Sequence, residues 1–217
     1  MPDSHTSIPG GGNTWRCVLA SSSPARLATL QAAGVFPDVI VSGADETYDA
    51  PSTAHLVTEL ARRKGEAVRA ILGDQPERPT VLIAADTMLE MDGTSYGKPH
   101  SPAIARQRLH AMSGASGLLF TGHYVAAAPP GGPWRHLTGT ATTTVHFATM
   151  TDDEIEAYLA TGEPLEVAGS FTIDGLGGPF ITGVEGDPHN VVGLSLPLLR
   201  RMMARLGVTW TDLWAKR

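Results

Sequence analysis

The chain has 217 residues, of which 42% are hydrophobic, enough for one medium or two small globular domains with a sizeable core. Sixteen Lys and Arg against twenty-two Asp and Glu give a formal net charge of −6, so no basic face advertises nucleic acid or an anionic membrane. Cys17 is the only cysteine, which excludes an intrachain disulfide and a thiolate zinc site and points to a reducing compartment.

Residues 1–16, MPDSHTSIPGGGNTWR, contain no apolar stretch long enough for a signal peptide, and nowhere do about 18 apolar residues follow one another. They read as a flexible leader to one domain over 17–217, with a cytoplasmic location expected and no membrane contact. Gly10, Gly11 and Gly12 lack the strand before and the helix after that a phosphate loop needs.

Cys17 to Ser21 forms a short strand with Cys17 packed in the core, and a polar SSSP turn then opens a helix from Pro24 to Ala33. Val39 to Val41 is a second strand. After an acidic loop, Ser52 caps a long amphipathic helix ending near Leu72. Its apolar positions are Val57, Leu60, Ala61, Ala67, Val68, Ile71 and Leu72. Lys64 falls on that stripe, so its stem points inward and its charge either snorkels out or meets an anion. Asp45, Glu46 or a bound phosphate are candidates for that anion.

Thr80 to Ala85 is a near-continuous apolar strand of the kind buried on both faces, and it delivers Asp86 at its carboxyl end. There an acid either caps a turn or contacts a ligand in a crevice. Asp92-Gly93 marks a hairpin, and Ser101-Pro102 starts another helix. Between them Lys98 precedes Pro99 and is held extended, solvated or projecting toward a ligand. From Leu118 to Phe147, β-branched and aromatic residues alternate around PPGGP, giving two long antiparallel strands. Thr151 and Glu154 form a capping box. Glycine-dense segments at 175–178 and 183–186 follow, then a helix from Ser195 to Leu206 and a tail in which Trp210 and Trp214 serve packing or an interface. The whole reads as α/β: a mixed twisted sheet with flanking helices, in two lobes.

Ser21, Ser23 and Arg26 sit at a helix N-terminus, where free N–H groups and the dipole favour an anion, although a serine-rich cap also starts ordinary helices. With Lys64, Lys98, Glu46 and Asp86 they make a set suited to phosphoryl chemistry: cations to neutralise charge, carboxylates to hold a metal ion, one of them to accept a proton from water. Competing signals fail. Gly193 to Pro197 lacks the second glycine of a nucleophile elbow, no GxGxxG or Walker A loop occurs, and His110, His123, His136, His146 and His189 lack zinc spacing and read as ordinary polar or core residues.

Taken in order, LASSSPAR, SGADE, LARRKGEAV, AADT, YGKP, ATGEPLEVAGSF and GDPHNVVGLSLPLL resemble the Maf family of nucleoside triphosphate pyrophosphatases, from about Val18 to Leu206. The resemblance implies a mixed α/β fold related to the inosine triphosphate pyrophosphatases, with two lobes around a catalytic cleft in residues 17–217. It implies hydrolysis between the α and β phosphates of a nucleoside triphosphate with Mg²⁺ or Mn²⁺, and a homodimer. It makes Asp86 the catalytic aspartate, with Glu46, Lys64 and Lys98 as further catalytic residues, Asp86 and Glu46 as metal ligands, and Ser21, Ser23 and Arg26 as phosphate contacts.

Ala25 stands where members often carry a further arginine, and the segment after Met112 lacks a histidine that many carry. Asp174 occupies the base-specificity position. Members preferring dTTP and UTP tend to have Gln there and those preferring 7-methyl-GTP tend to have Glu, so Asp174 matches neither and leaves the base open. A non-hydrolytic nucleotide sensor acting on cell division is the alternative from another class, and a sugar-nucleotide or phosphosugar enzyme is a weaker one.

Overall fold

The computed structural model describes residues 15–214; most of the expected leader lies outside them. Seven strands form one sheet: β1 (Arg16–Leu19), β2 (Asp38–Val39), β3 (Thr80–Met91), β4 (Thr94–Tyr96), β5 (Ser116–Ala128), β6 (Arg135–Phe147) and β7 (Ile181–Glu185). They run in the order β2-β1-β3-β5-β6-β7, with β4 paired to β3. β1 is parallel to β2 and β3, whereas β3, β5, β6 and β7 are successively antiparallel. The helices are α1 (Pro24–Ala32), α2 (Thr53–Leu72), α3 (Pro102–Met112), α4 (Asp152–Ala160), α5 (Pro188–Val192) and α6 (Leu196–Arg205). Mixed α/β architecture is thereby shown, and among the described residues no helix is long and apolar enough to cross a membrane.

Local chemistry accounts for most of these boundaries. Ser23, Ser52, Ser101 and Ser195 each cap a helix through the side chain, and the Thr151–Glu154 capping box forms in full. Asp92 and Gly93 both take positive φ, 46° and 76°, the geometry a two-residue hairpin between β3 and β4 requires.

Alternation along the central strands sends their residues into separate cores. Cys17, Leu19, Val81, Ile83 and Val125 pack with Leu30 of α1 and Leu199 and Met203 of α6. Val18, Leu82, Ala84 and Tyr124 pack with Ala61 and Val68 of α2 on the opposite face. At the far end of the sheet, Leu89, Leu119, Val145 and Phe147 pack with α3 and α4. Cys17 is buried as expected, and that burial pushes its thiol up to about 12. Ile71 is the exception on the α2 stripe: it is 64% exposed, while Leu72 beside it still packs against the core.

Asp86 does not end its strand. β3 continues to Met91, and Asp86 pairs in register with Gly122 of β5. The expectation failed because an acid after an apolar run reads as a terminus. What ends there is the neighbouring strand: β1 pairs with β3 only as far as Ile83, and β4 takes over at Leu89. Residues 84–88 thus keep β5 on one side, and Asp86, Thr87 and Met88 open onto a cleft on the other.

Candidate active site

The interrupted edge of β3 opens into a cleft of about 690 Å³ lined by Ser21, Ser23, Arg26, Glu46, Lys64, Asp86, Lys98 and Asp174. All eight residues singled out from the sequence meet there, although they come from the end of β1, the first turn of α1, the loop before α2, α2 itself, β3, the segment after β4 and the glycine-dense region.

Lys64 is the electrostatic centre. Its Nζ lies 2.6 Å from Asp86 Oδ1 and 2.9 Å from Glu46 Oε1. Of the alternatives for a lysine on an apolar stripe, the protein uses ion pairing: Lys64 is 13% exposed as a side chain and Glu46 62%, so the pair spans from the interior to the cleft. Asp86 is buried. That burial pushes its carboxyl above the usual range, against the pull of Lys64 and Arg26, as expected when desolvation disfavours the charged form.

Two glycines allow Lys64 to reach. A Cβ on Gly65 would fall 2.1 Å from the Tyr124 ring, and one on Gly122 would fall 2.1 Å from the Val57 carbonyl oxygen. With no side chain at either position, α2 lies low on β5, opposite Asp86. Glu46 is held from outside the cleft. Arg63 donates to the carbonyls of Asp45 and Thr47 at 3.5 and 3.0 Å and sits 4.7 Å above the Tyr48 ring, fixing both neighbours of Glu46.

At the α1 end, Ser21 Oγ accepts from the Ser23 N–H at 3.2 Å and from Arg26 Nη1 at 3.1 Å. Its own O–H is left to donate. Arg26 also donates from Nε to the Gly193 carbonyl and from Nη2 to Thr87 Oγ1. Those contacts use three of its five N–H groups, fixing the fork while leaving two for an anion. Burial lowers its guanidinium from the ordinary value, and Asp86 and Glu46 pull it back. Lys98 and Asp174 are both exposed on the cleft lining. Ala25 also lines the cleft, so a methyl group stands where a further arginine was expected.

Thr87 and Gly193, which hold Arg26, and Arg63, which holds the Glu46 loop, escaped the sequence reading. The only available signal was their place inside AADT, GDPHNVVG and LARRK. His123 is a core histidine: its Nε2 accepts from the Ser195 N–H at 2.9 Å and its Nδ1 donates to the Thr121 carbonyl at 3.0 Å.

Among the described residues no group of three or more His, Cys, Asp or Glu could hold a metal ion. Asp86 and Glu46, brought together on one ammonium, still fit the half-shell that Mg²⁺ takes when phosphate and water complete its coordination: one or two carboxylates and hard oxygen donors throughout.

Comparison with known proteins bears on the same chain segments. The family described as Maf-like protein matches residues 16–206. A nucleoside triphosphate pyrophosphatase of Salinispora tropica is 53% identical over 202 residues, covering 93% of this chain and 88% of the relative. One of Streptomyces coelicolor is 50% identical, with 92% and 95% covered. The solved structure of the Staphylococcus aureus Ham1 protein aligns at 16% identity and a TM-score of 0.37, over 91% of this chain and 93% of that one. Since the family match spans nearly all of the described residues, and about half of the sequence is shared with relatives covered over 88% or more of their own length, the chain belongs to the Maf family.

Proposed function

We propose that the protein hydrolyses nucleoside triphosphates between the α and β phosphates, releasing a nucleoside monophosphate and pyrophosphate, in the cytoplasm. The observation that carries this reading is the bridge of Lys64 to Asp86 and Glu46, facing the Ser21 and Arg26 donors across one cleft. The activity named for the relatives of Salinispora tropica and Streptomyces coelicolor supports it.

Asp86 is the base. Burial raises its carboxyl toward neutrality, which brings a proton acceptor closer to the pH at which it works. It takes a proton from water as the water oxygen bonds to phosphorus, and the bond from that phosphorus to the bridging oxygen breaks, the electron pair leaving with pyrophosphate. Arg26, Lys98 and the Ser21 hydroxyl hold the phosphate oxygens, each charge pair at ~4 Å contributing about 4 kcal/mol at an effective dielectric near 20. Those two charge pairs, with the hydrogen bond from Ser21, favour a triphosphate in spite of the net charge of −6. Mg²⁺ or Mn²⁺ held by Asp86 and Glu46 would supply further neutralisation of phosphate charge.

The test is incubation with Mg²⁺ and a panel of ribo-, deoxy- and modified triphosphates, with products resolved by chromatography. Monophosphate plus pyrophosphate is expected from a subset, and Asp86→Asn should abolish turnover while leaving the thermal midpoint within a few degrees. Activity that survives in Asp86→Asn removes Asp86 as the base. Thermal stabilisation by a triphosphate without turnover would replace the enzyme reading with the sensor.

A further inference from the structure

One wall of the cleft consists of Phe171, Thr172, Ile173 and Asp174, and a single carboxylate outside the ion-pair cluster organises the chain behind it. Gly162, in a left-handed conformation at φ 77°, ends the turn after α4 and starts the short helical turn Glu163–Leu165. Glu163 Oε1 accepts from the Tyr158 hydroxyl at 2.9 Å, the Thr172 hydroxyl at 2.5 Å and the Gly177 N–H at 3.1 Å. Its Oε2 accepts from the Leu176 N–H at 3.1 Å. A carboxylate offers about four acceptor sites, and here four donors converge on it, three on Oε1 and one on Oε2. Burial pushes this carboxyl up, but the bonds from Thr172, Leu176, Tyr158 and Gly177 outweigh that and hold it below its ordinary value, so it is an acceptor only at neutral pH.

The loop is wound so tightly that a side chain is excluded at two of its positions. A Cβ on Gly175 would fall 2.6 Å from Glu163 Oε2, and one on Gly177 would fall 2.6 Å from the Tyr158 hydroxyl. The other end of the wall is fixed by packing, with Phe171 edge-on to Phe147 at 5.0 Å. Between these anchors, Ile173 and Asp174 present an apolar surface followed by one exposed carboxylate. The cleft's cations are carried by other elements, α1, α2 and the segment after β4, and Asp174 borders α1 beside Ala25. A surface that is apolar with one acceptor suits a flat heterocycle with N–H donors.

From this we infer that Glu163 is the positioning residue for nucleobase selection: it touches no substrate, and it sets the wall that does. The inference rests on the triphosphate reading of the cleft given above. A weakened loop costs discrimination between bases first, because the groups that hold phosphate and accept the proton lie on other elements.

The experiment compares wild type, Glu163→Gln and Tyr158→Phe, each with Mg²⁺ and the triphosphate panel, measuring kcat and KM for every base. Inhibition by inorganic tripolyphosphate, which has the phosphates without base or sugar, is measured alongside. In Glu163→Gln the ratio of kcat/KM between best and poorest base should fall about 10-fold, mainly through KM, with kcat for the best substrate held within about 3-fold and tripolyphosphate inhibition within about 2-fold. Tyr158→Phe, which removes one bond from behind the loop, should move the ratio the same way by less. Simple destabilisation would lower kcat for every base alike and leave the ratios as they were. If Glu163→Gln fails to fold, Tyr158→Phe decides alone. Folded variants with wild-type base ratios overturn the inference. A wild type that turns over no triphosphate overturns the activity and the inference together, and the wild-type arm by itself distinguishes that failure.

Discussion

Lys64 combines two features that rarely coincide, a stem directed into a core and a charge that must be matched there. Its bonds to Asp86 and Glu46 make each carboxylate depend on it, since a buried charge left without its partner costs several kcal/mol. Replacing it separates charge from shape. In Lys64→Met, Asp86 loses a cation that lowers its pKa, so its carboxyl should rise further. The acid limb of the kcat/KM profile should then move to higher pH, and the plateau should drop by about 100- to 1,000-fold. A pH profile measured on the folded variant checks this; an unmoved acid limb would mean that Asp86 is not the group titrating. The lysine itself was legible in the sequence because its position on a 3.6-residue stripe is a local property. Ser21, Ser23 and Arg26 were legible for a similar reason, as a serine-rich helix start. Glu163 was not, because its donors are split between Tyr158 of α4 and residues 9 to 14 positions further on, in or beside a glycine-dense stretch that has no period to read.

α2 shows how an element can be placed by what it lacks. In an isolated helix Gly65→Ala would stabilise by about 1 kcal/mol. Here the added Cβ meets the Tyr124 ring at 2.1 Å, and overpacking of that kind costs about 1–3 kcal/mol, so packing decides the sign. Gly65→Ala should lower the denaturation midpoint and reduce kcat/KM, because the residue before it is Lys64. Adding Tyr124→Leu should recover part of both, as a non-additive double-mutant cycle. A Gly65→Ala variant more stable than wild type would contradict the close approach. Most elements could be anticipated from caps, hairpin residues and periodicity, including the whole of α2 from its serine cap to Leu72. β3 was cut short because a charged residue inside a buried strand violates the pattern for strands, and here the violation marks the site. β7 and α5 were missed because Gly183, Gly186 and Pro188 read locally as loop, and only pairing with β6 makes a strand of residues 181–185.

At the scale of the molecule, His123 ties β5 to the cap of α6 through Ser195. Burial, reinforced by Arg26, lowers its pKa from 6.5 to about 4. A histidine depressed in the folded state contributes stability that is complete above about pH 6.5 and is lost as pH falls to about 4, amounting to about 3 kcal/mol. Urea midpoints recorded across that window should decline in wild type, and more shallowly in His123→Gln, whose stability starts lower. Equal slopes would show that His123 takes up its proton as readily in the folded protein as in the unfolded chain. The connection from β5 to α6 belongs to a core that draws on both extremes of the described chain, from Cys17 to Leu213, and the Trp214 indole N–H donates to the Ala33 carbonyl beside α1. During synthesis on the ribosome, β1 and α1 emerge well before α6, the helix that supplies Leu199, Met202 and Met203 to their core. The nascent chain therefore carries part of that apolar surface uncovered until α6 follows, which makes it a natural client for chaperones.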